Sequence, residues 1–352
     1  MENKERETLL NHVDEATGKT ALIMACQGRH FDAAAVILAK GGVSTARVAS
    51  KAPPANDPDS PSLDARTALH WAALHGDKPL VSLLLGLADS SGAPVAVSDA
   101  VTRASDTSLR RAAFEKLKES ADKGLGDAPD AHGDTALHLA ARAGGAGKDI
   151  VQMLRDRKMQ GSVQNSAGMT PVHVAASLGD AATIACLLKP AKDLDEKAAQ
   201  EYVRMCLTKV TSTEQRSALF YAVESGDKAT ANLLLKEASE LDQRIAGNAA
   251  GIVAPGADTT TVLEQVLRPD ANGVTVLHLA VAAGDQRLFH LLVDFVNRKH
   301  ATVQLCLVND GVPVASNDGS TLVHEAVRAG AWDMLKAIED AYSEKGAVLA
   351  FK

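Results

Sequence analysis

Apolar positions recur along this chain as paired short patterns, each pair opened by a hydroxyl residue and divided by a glycine. Clear copies of the first pattern are Thr67-Ala68-Leu69-His70-Trp71-Ala72, Thr135-Ala136-Leu137-His138-Leu139-Ala140, Thr170-Pro171-Val172-His173-Val174-Ala175 and Thr275-Val276-Leu277-His278-Leu279-Ala280. Weaker copies start at Thr20, Ser217 and Thr321. The second pattern is bulkier, with Val36-Ile37-Leu38, Leu83-Leu84-Leu85, Met153-Leu154, Leu187-Leu188, Leu233-Leu234-Leu235, Leu291-Leu292 and Ile338. Between the two stands Gly76, Gly144, Gly179, Gly226, Gly284 or Gly330, and in the first copy Arg29. The reading is helix, turn, helix, seven times over.

Each conserved residue type has a physical use. The opening Thr or Ser suits a helix N-cap, because its oxygen can accept a first-turn N–H that lacks an intrahelical partner. The glycine suits the left-handed backbone that ends the first helix. One position is alanine in every copy (Ala25, Ala72, Ala140, Ala175, Ala222, Ala280, Ala326), as expected where two helices approach too closely for a larger side chain. His70, His138, His173, His278 and His324 stand at one place in the pattern, where Ile23 and Phe220 replace them in two copies. A stacked arrangement spaces these imidazoles about 10 Å apart, far beyond the roughly 2.0–2.1 Å of a shared metal bond, so their expected role is to bond the Thr and neighbouring backbone.

The motif resembles the ankyrin repeat, whose T-P-L-H-x-A opens the first of two antiparallel helices in a unit of about 33 residues. The resemblance implies an all-α solenoid of stacked helix pairs with short β-hairpin loops, forming a single domain over residues 1–352. Its repeats would cover about 15–42, 64–87, 130–156, 165–190, 213–237, 270–296 and 316–342. The family's partner-contact positions then fall on Lys19, Arg66, His132, Asp134, Met169, Arg216, Val274 and Ser320 beside the hairpins. On the helix side they fall on Gln27, Leu74, His75, Arg142, Ser177, Leu178, Glu224, Ser225 and Arg328. Trp71 and Trp332 are expected to be packing residues.

The spacing departs from the family. Anchors at 20, 67, 135, 170, 217, 275 and 321 leave long connections, and only the step from 135 to 170 is close to one repeat. Ser44 to Ser62 is rich in proline and polar residues and should be a loop; its Asp57 and Asp59 lack the remaining ligands of a calcium loop. Ser105 to Lys123 and Leu194 to Val210 carry apolar residues every fourth position, predicting inserted amphipathic helices. Gly145 and Ala146 lengthen one inter-helix turn. Ala246 to Gly251 reads as a glycine-rich tip, followed by a short helix near Thr260 to Leu267. Val303 to Ser316 centres on Asn309-Asp310-Gly311 and predicts a hairpin.

Composition narrows the chemistry. Hydrophobic residues make up 46% and aromatics 3%, so the core must be built from Ala, Leu and Val. A net charge of −7 disfavours nucleic acid, which requires clustered Lys and Arg. No apolar stretch suits a signal peptide or membrane span, which gives cytoplasm as the default expectation and leaves nucleus or delivery into a host cell open. Cys26, Cys186, Cys206 and Cys306 form no CxxC pair and read as reduced packing thiols. The motifs HExxH, GxSxG, GxxxxGK[ST] and GxGxxG are all missing. With the resemblance, which implies a protein-protein interaction scaffold binding one or more partner proteins through its concave face and hairpin loops, the expectation is no catalytic residues, metal, cofactor or small-molecule substrate. The alternative is a bacterial-type effector or enzyme whose activity lies on the insertions.

Overall fold

The computed structural model describes residues 8–15, 17–41, 50, 65–86, 128–191, 194–248, 261–299, 308–309, 312–313 and 315–343. Its contacts divide the chain into two compact units, residues 1–166 and 167–352.

The first unit contains α1 (Ala21–Gln27), α2 (Phe31–Gly41), α3 (Ala68–Leu74), α4 (Lys78–Leu84), α5 (Ala136–Arg142) and α6 (Gly147–Asp156). Its first helices pack in series, α1 on α3 and α3 on α5, while α2, α4 and α6 form a second layer behind them. The second unit contains α7 (Pro171–Ser177), α8 (Ala181–Leu187), α9 (Glu196–Thr208), α10 (Ala218–Glu224), α11 (Lys228–Asn248) and α12 (Val262–Leu267). It continues with α13 (Val276–Ala282), α14 (Gln286–Lys299), α15 (Leu322–Arg328) and α16 (Trp332–Ser343). The same rule holds there, with α7, α10, α13 and α15 in one layer and α8, α11, α14 and α16 in the other.

Small side chains let the layers approach. Ala72, Ala140, Ala175, Ala222, Ala280 and Ala326 are fully buried and Ala25 nearly so, whereas Leu38, Leu83, Leu154, Leu187, Leu235, Leu292 and Ile338 fill the space between layers. Each first helix starts directly after its hydroxyl anchor and spans seven residues. It ends because the backbone turns left-handed two residues beyond, at Gly76, Gly144, Gly179, Gly226, Gly284 and Gly330 (φ 65–71°), and at Arg29 (φ 58°).

The insertions follow their patterns where described. α9, capped by the Asp195 carboxylate at 2.7 Å from Ala198 N, buries Tyr202 and Cys206 and packs on α11. Leu194, expected on the same stripe, is instead 40% exposed, because it lies before the helix begins. α12 is held by the Asp242 carboxylate, which accepts from Val262 N at 2.7 Å and Leu263 N at 3.1 Å. Gly144–Ala146 forms a 3-10 turn that takes up the two extra residues before α6. β1 (Val308–Asn309) pairs antiparallel with β2 (Val312–Pro313), giving the expected hairpin. Ala246 to Asn248 complete α11 rather than starting a loop. The rest of that run, the helix expected over Ser105 to Lys123 and the loop at Ser44 to Ser62 (Ser50 apart) lie outside the described residues.

Candidate protein-binding face

The anchor hydroxyls and histidines form one repeated device. The backbone N–H groups of Thr67, Thr135, Thr170, Thr275 and Thr321 donate to Nδ1 of the histidine three residues on, at 3.0–3.2 Å. An Nδ1 that accepts leaves the neutral ring's proton on Nε2. His173 uses that proton to donate to Arg216 O at 3.2 Å, in the loop of the next repeat. Nε2 of His70 and of His278 is buried opposite the backbone of Asp134 and Ser320 respectively, without reaching the geometry His173 attains. Burial holds both of these imidazoles below the usual histidine range.

The loops before the anchors have their own scaffold. Asp130 Oδ1 accepts from the N–H groups of His132 and Asp134, and Asp270 Oδ1 from those of Asn272 and Val274, all at 2.9 Å. In the last repeat Ser316 takes that place, and the Ser316 and Ser320 hydroxyls and Ser320 N–H hold the Asp318 carboxyl at about 2. Two residues before every anchor the backbone is left-handed: Gly18, Ala65, Gly133, Gly168, Gln215, Gly273 and Gly319. Successive loops are then tied tip to tip. Within the first unit Ser166 N donates to His132 O at 2.9 Å. Within the second, Ser212 N donates to Ala167 O, Ala271 N to Glu214 O and Asn317 N to Asn272 O, at 2.8–3.1 Å.

On this frame the contact positions inferred from the resemblance meet in pairs. In four repeats the residue before the anchor bonds the last residue of the first helix. Lys19 Nζ donates to Gln27 Oε1 at 2.9 Å, and Arg142 Nη2 to Asp134 Oδ2 at 3.2 Å. Arg216 Nη1 donates to Glu224 Oε1 at 2.8 Å, and Arg328 Nη2 to Ser320 Oγ at 3.1 Å. Lys19–Gln27 and Arg216–Glu224 hold two long side chains beside a loop, while Arg142 and Arg328 are held by the short, buried side chains of Asp134 and Ser320. Of the rest, Leu74, Met169 and Val274 are half-buried, and His75, His132, Ser177, Leu178 and Ser225 are exposed. Arg66, Asp134 and Ser320 are buried.

Two of these residues also join neighbouring repeats. Arg66 Nε donates to Asp130 Oδ2 at 3.1 Å, and Arg216 Nε to Asp270 Oδ2 at 2.9 Å; Arg216 further pairs with Glu214 at 3.2 Å. Trp71, half-buried, lies beneath Lys19 and Arg66 and stacks on His75. Trp332, expected to pack, is 67% exposed at the start of α16. Among the described residues no group of three or more His, Cys, Asp or Glu is placed to hold a metal ion, and no described helix is long and apolar enough to cross a membrane.

Two protein-family models match part of the chain. A family model described as ankyrin repeats in three copies matches residues 100–198, and one for a single ankyrin repeat matches residues 64–98. The chain is an ankyrin-repeat protein. Among solved structures it is similar to the ankyrin repeat domain of Bcl-3, described as a unique member of the IkappaB protein family, with 18% identity and a TM-score of 0.47. That match covers 79% of this chain and 87% of the other. No curated protein matches the chain. Ankyrin repeats generally serve protein–protein interaction, and the fold is typically a non-enzymatic scaffold. In this ankyrin-repeat protein, the loop aspartates, the left-handed residues before the anchors and the Trp71 cluster were not singled out from sequence. Glycine two residues before five of the seven anchors was the available signal for the second of these.

Proposed function

We propose that this chain is a protein-binding scaffold that holds a partner on the surface that the anchor loops and first helices make within a unit. The observation that carries this reading is the pairing, in four of the seven repeats, of the pre-anchor side chain with the end of its own first helix: Lys19–Gln27, Asp134–Arg142, Arg216–Glu224 and Ser320–Arg328. Side chains already held in place lose little further freedom on association, so a partner meets a preorganised surface. Tip-to-tip backbone bonds extend the same order to the loops.

The test is site-specific photo-crosslinking in cells that express the protein. A photoreactive residue at Leu74 or Ser177 should give discrete protein adducts. The same residue at Asp149 or Lys236, exposed on second-layer helices, should not. Equal labelling from all four positions, or none from the first two, overturns the proposal.

A further inference from the structure

We propose that the first-helix face of the first unit receives a partner segment rich in aspartate and glutamate, an inference that rests on the scaffold reading above. The face is assembled over one indole. Lys19 Nζ and the Arg66 guanidinium each lie 5.2 Å from the centre of the Trp71 ring, and the His75 imidazole stacks on the same ring at 5.8 Å. From Arg66 the cluster continues through Asp130 and its loop, which presents His132 to solvent, to Asp134 and Arg142.

The placement of the carboxylates sets the sign of this surface. The Asp130 side chain is wholly buried and that of Asp134 is 2% exposed, whereas Arg142 remains 48% exposed. Both carboxylates face inward, Asp130 to loop N–H groups and the Arg66 guanidinium, Asp134 to Arg142 and the Asn165 amide at 2.7 Å. Lys19 donates to a neutral amide. Among the described residues of this cluster, the ionisable groups that reach solvent are therefore an ammonium, a guanidinium and two imidazoles, on a chain whose overall charge is −7. An ammonium fixed over an aromatic floor, with the exposed Arg142 guanidinium farther along the same cluster, suits carboxylates, which accept charge-assisted hydrogen bonds and are steered by the local field.

The matching positions of the second unit do not share this character. Glu224 and Glu214 stand 39% and 48% exposed around an Arg216 that is itself 16% exposed, and Glu325 accompanies Arg328. Nucleic acid is the other polyanion to weigh. Its sites gather many Lys and Arg along a backbone, and here two of three fixed cations already hold a buried carboxylate.

The chain has two tryptophans, so a Trp332→Phe variant makes Trp71 the sole indole and its emission a report from this face. The variant is titrated with a short Asp/Glu-rich peptide, the Asn/Gln peptide of the same order, and oligothymidylate. The acidic peptide should shift Trp71 emission, bind at least about tenfold more tightly than the neutral one, and weaken as salt is raised. Lys19→Gln and Arg142→Gln should each weaken it several-fold. Arg142→Gln leaves Asp134 with fewer partners, so Lys19→Gln, which touches no carboxylate, carries the test if that variant misfolds. Equal binding of the neutral peptide, unchanged affinity in Lys19→Gln, or oligothymidylate bound as tightly overturns the proposal. If Leu74 adducts persist while the acidic peptide fails, the scaffold reading stands and this one falls; loss of both ends both.

Discussion

Arg66 reaches across 64 residues of sequence to place its Nε 3.1 Å from Asp130 Oδ2, with both side chains at or below 10% exposure. The same carboxylate also organises the loop of its own repeat, so one residue fixes a turn and ties it to the repeat before. Arg216 and Asp270 do this again in the second unit. A buried carboxylate used three ways tolerates little substitution.

Asp130→Ala should therefore destabilise the protein by about 4 kcal/mol, since it takes the buried carboxylate from the Arg66 guanidinium and from two loop N–H groups. Asp130→Asn keeps an oxygen for the loop and should cost about 2 kcal/mol. Urea unfolding followed by circular dichroism measures both, and equal losses would contradict the double role.

Gly168 and Gly319 occupy the same place in their repeats, both left-handed, at φ 77° and 82°. A Cβ at Gly168 would sit 2.3 Å from Ser212 N, while one at Gly319 meets nothing within 4 Å. Alanine at Gly319 should cost about 1 kcal/mol for the backbone alone. At Gly168 the clash raises this to about 3 kcal/mol. Thermal melts of the two variants check the difference.

Burial keeps the His70 and His278 imidazoles below the ordinary histidine pKa of 6.5, so the unfolded chain takes up protons that the folded chain excludes. Stability from these sites is complete above about pH 6.5 and declines as the pH falls below it, by up to about 1.4 kcal/mol per pH unit for each ring. Urea midpoints measured from pH 8 to pH 5 should fall. A His70→Gln, His278→Gln double variant, though less stable throughout, should fall less steeply.

Burial pushes the Cys26 thiol up to about 12, and Cys186 and Cys206 are buried with it. Little thiolate is then available to react. Under native conditions iodoacetamide should leave Cys26 unmodified, and in denaturant it should label it fully; peptide mass spectrometry reads both states.

Much of this was legible because the same residue types recur at the same steps. The hydroxyl anchor, buried alanine and left-handed glycine appear where the repeated pattern put them, and α9 and α12 where a four-residue stripe or a short apolar run did. The rest depended on partners that sequence spacing hides. Nothing local marks Arg66 as buried, since its carboxylate lies 64 residues away, beyond a long insertion. The left-handed site before each anchor is masked where Ala65 and Gln215 adopt it without glycine. Trp332 reads as packing from its apolar type, yet its place at the start of α16 leaves it largely exposed.

The bonds between loop tips carry a last implication for how such a chain can change. In the second unit the anchors at 170, 217, 275 and 321 are separated by unequal stretches, yet Ala167, Glu214 and Asn272 each meet the following loop within 2.8–3.1 Å. Length is thus decoupled from alignment. A connection on the far side can gain or lose a helix such as α9 without moving the edge that the loops present, so these segments are free to diversify while the loop edge keeps its pitch.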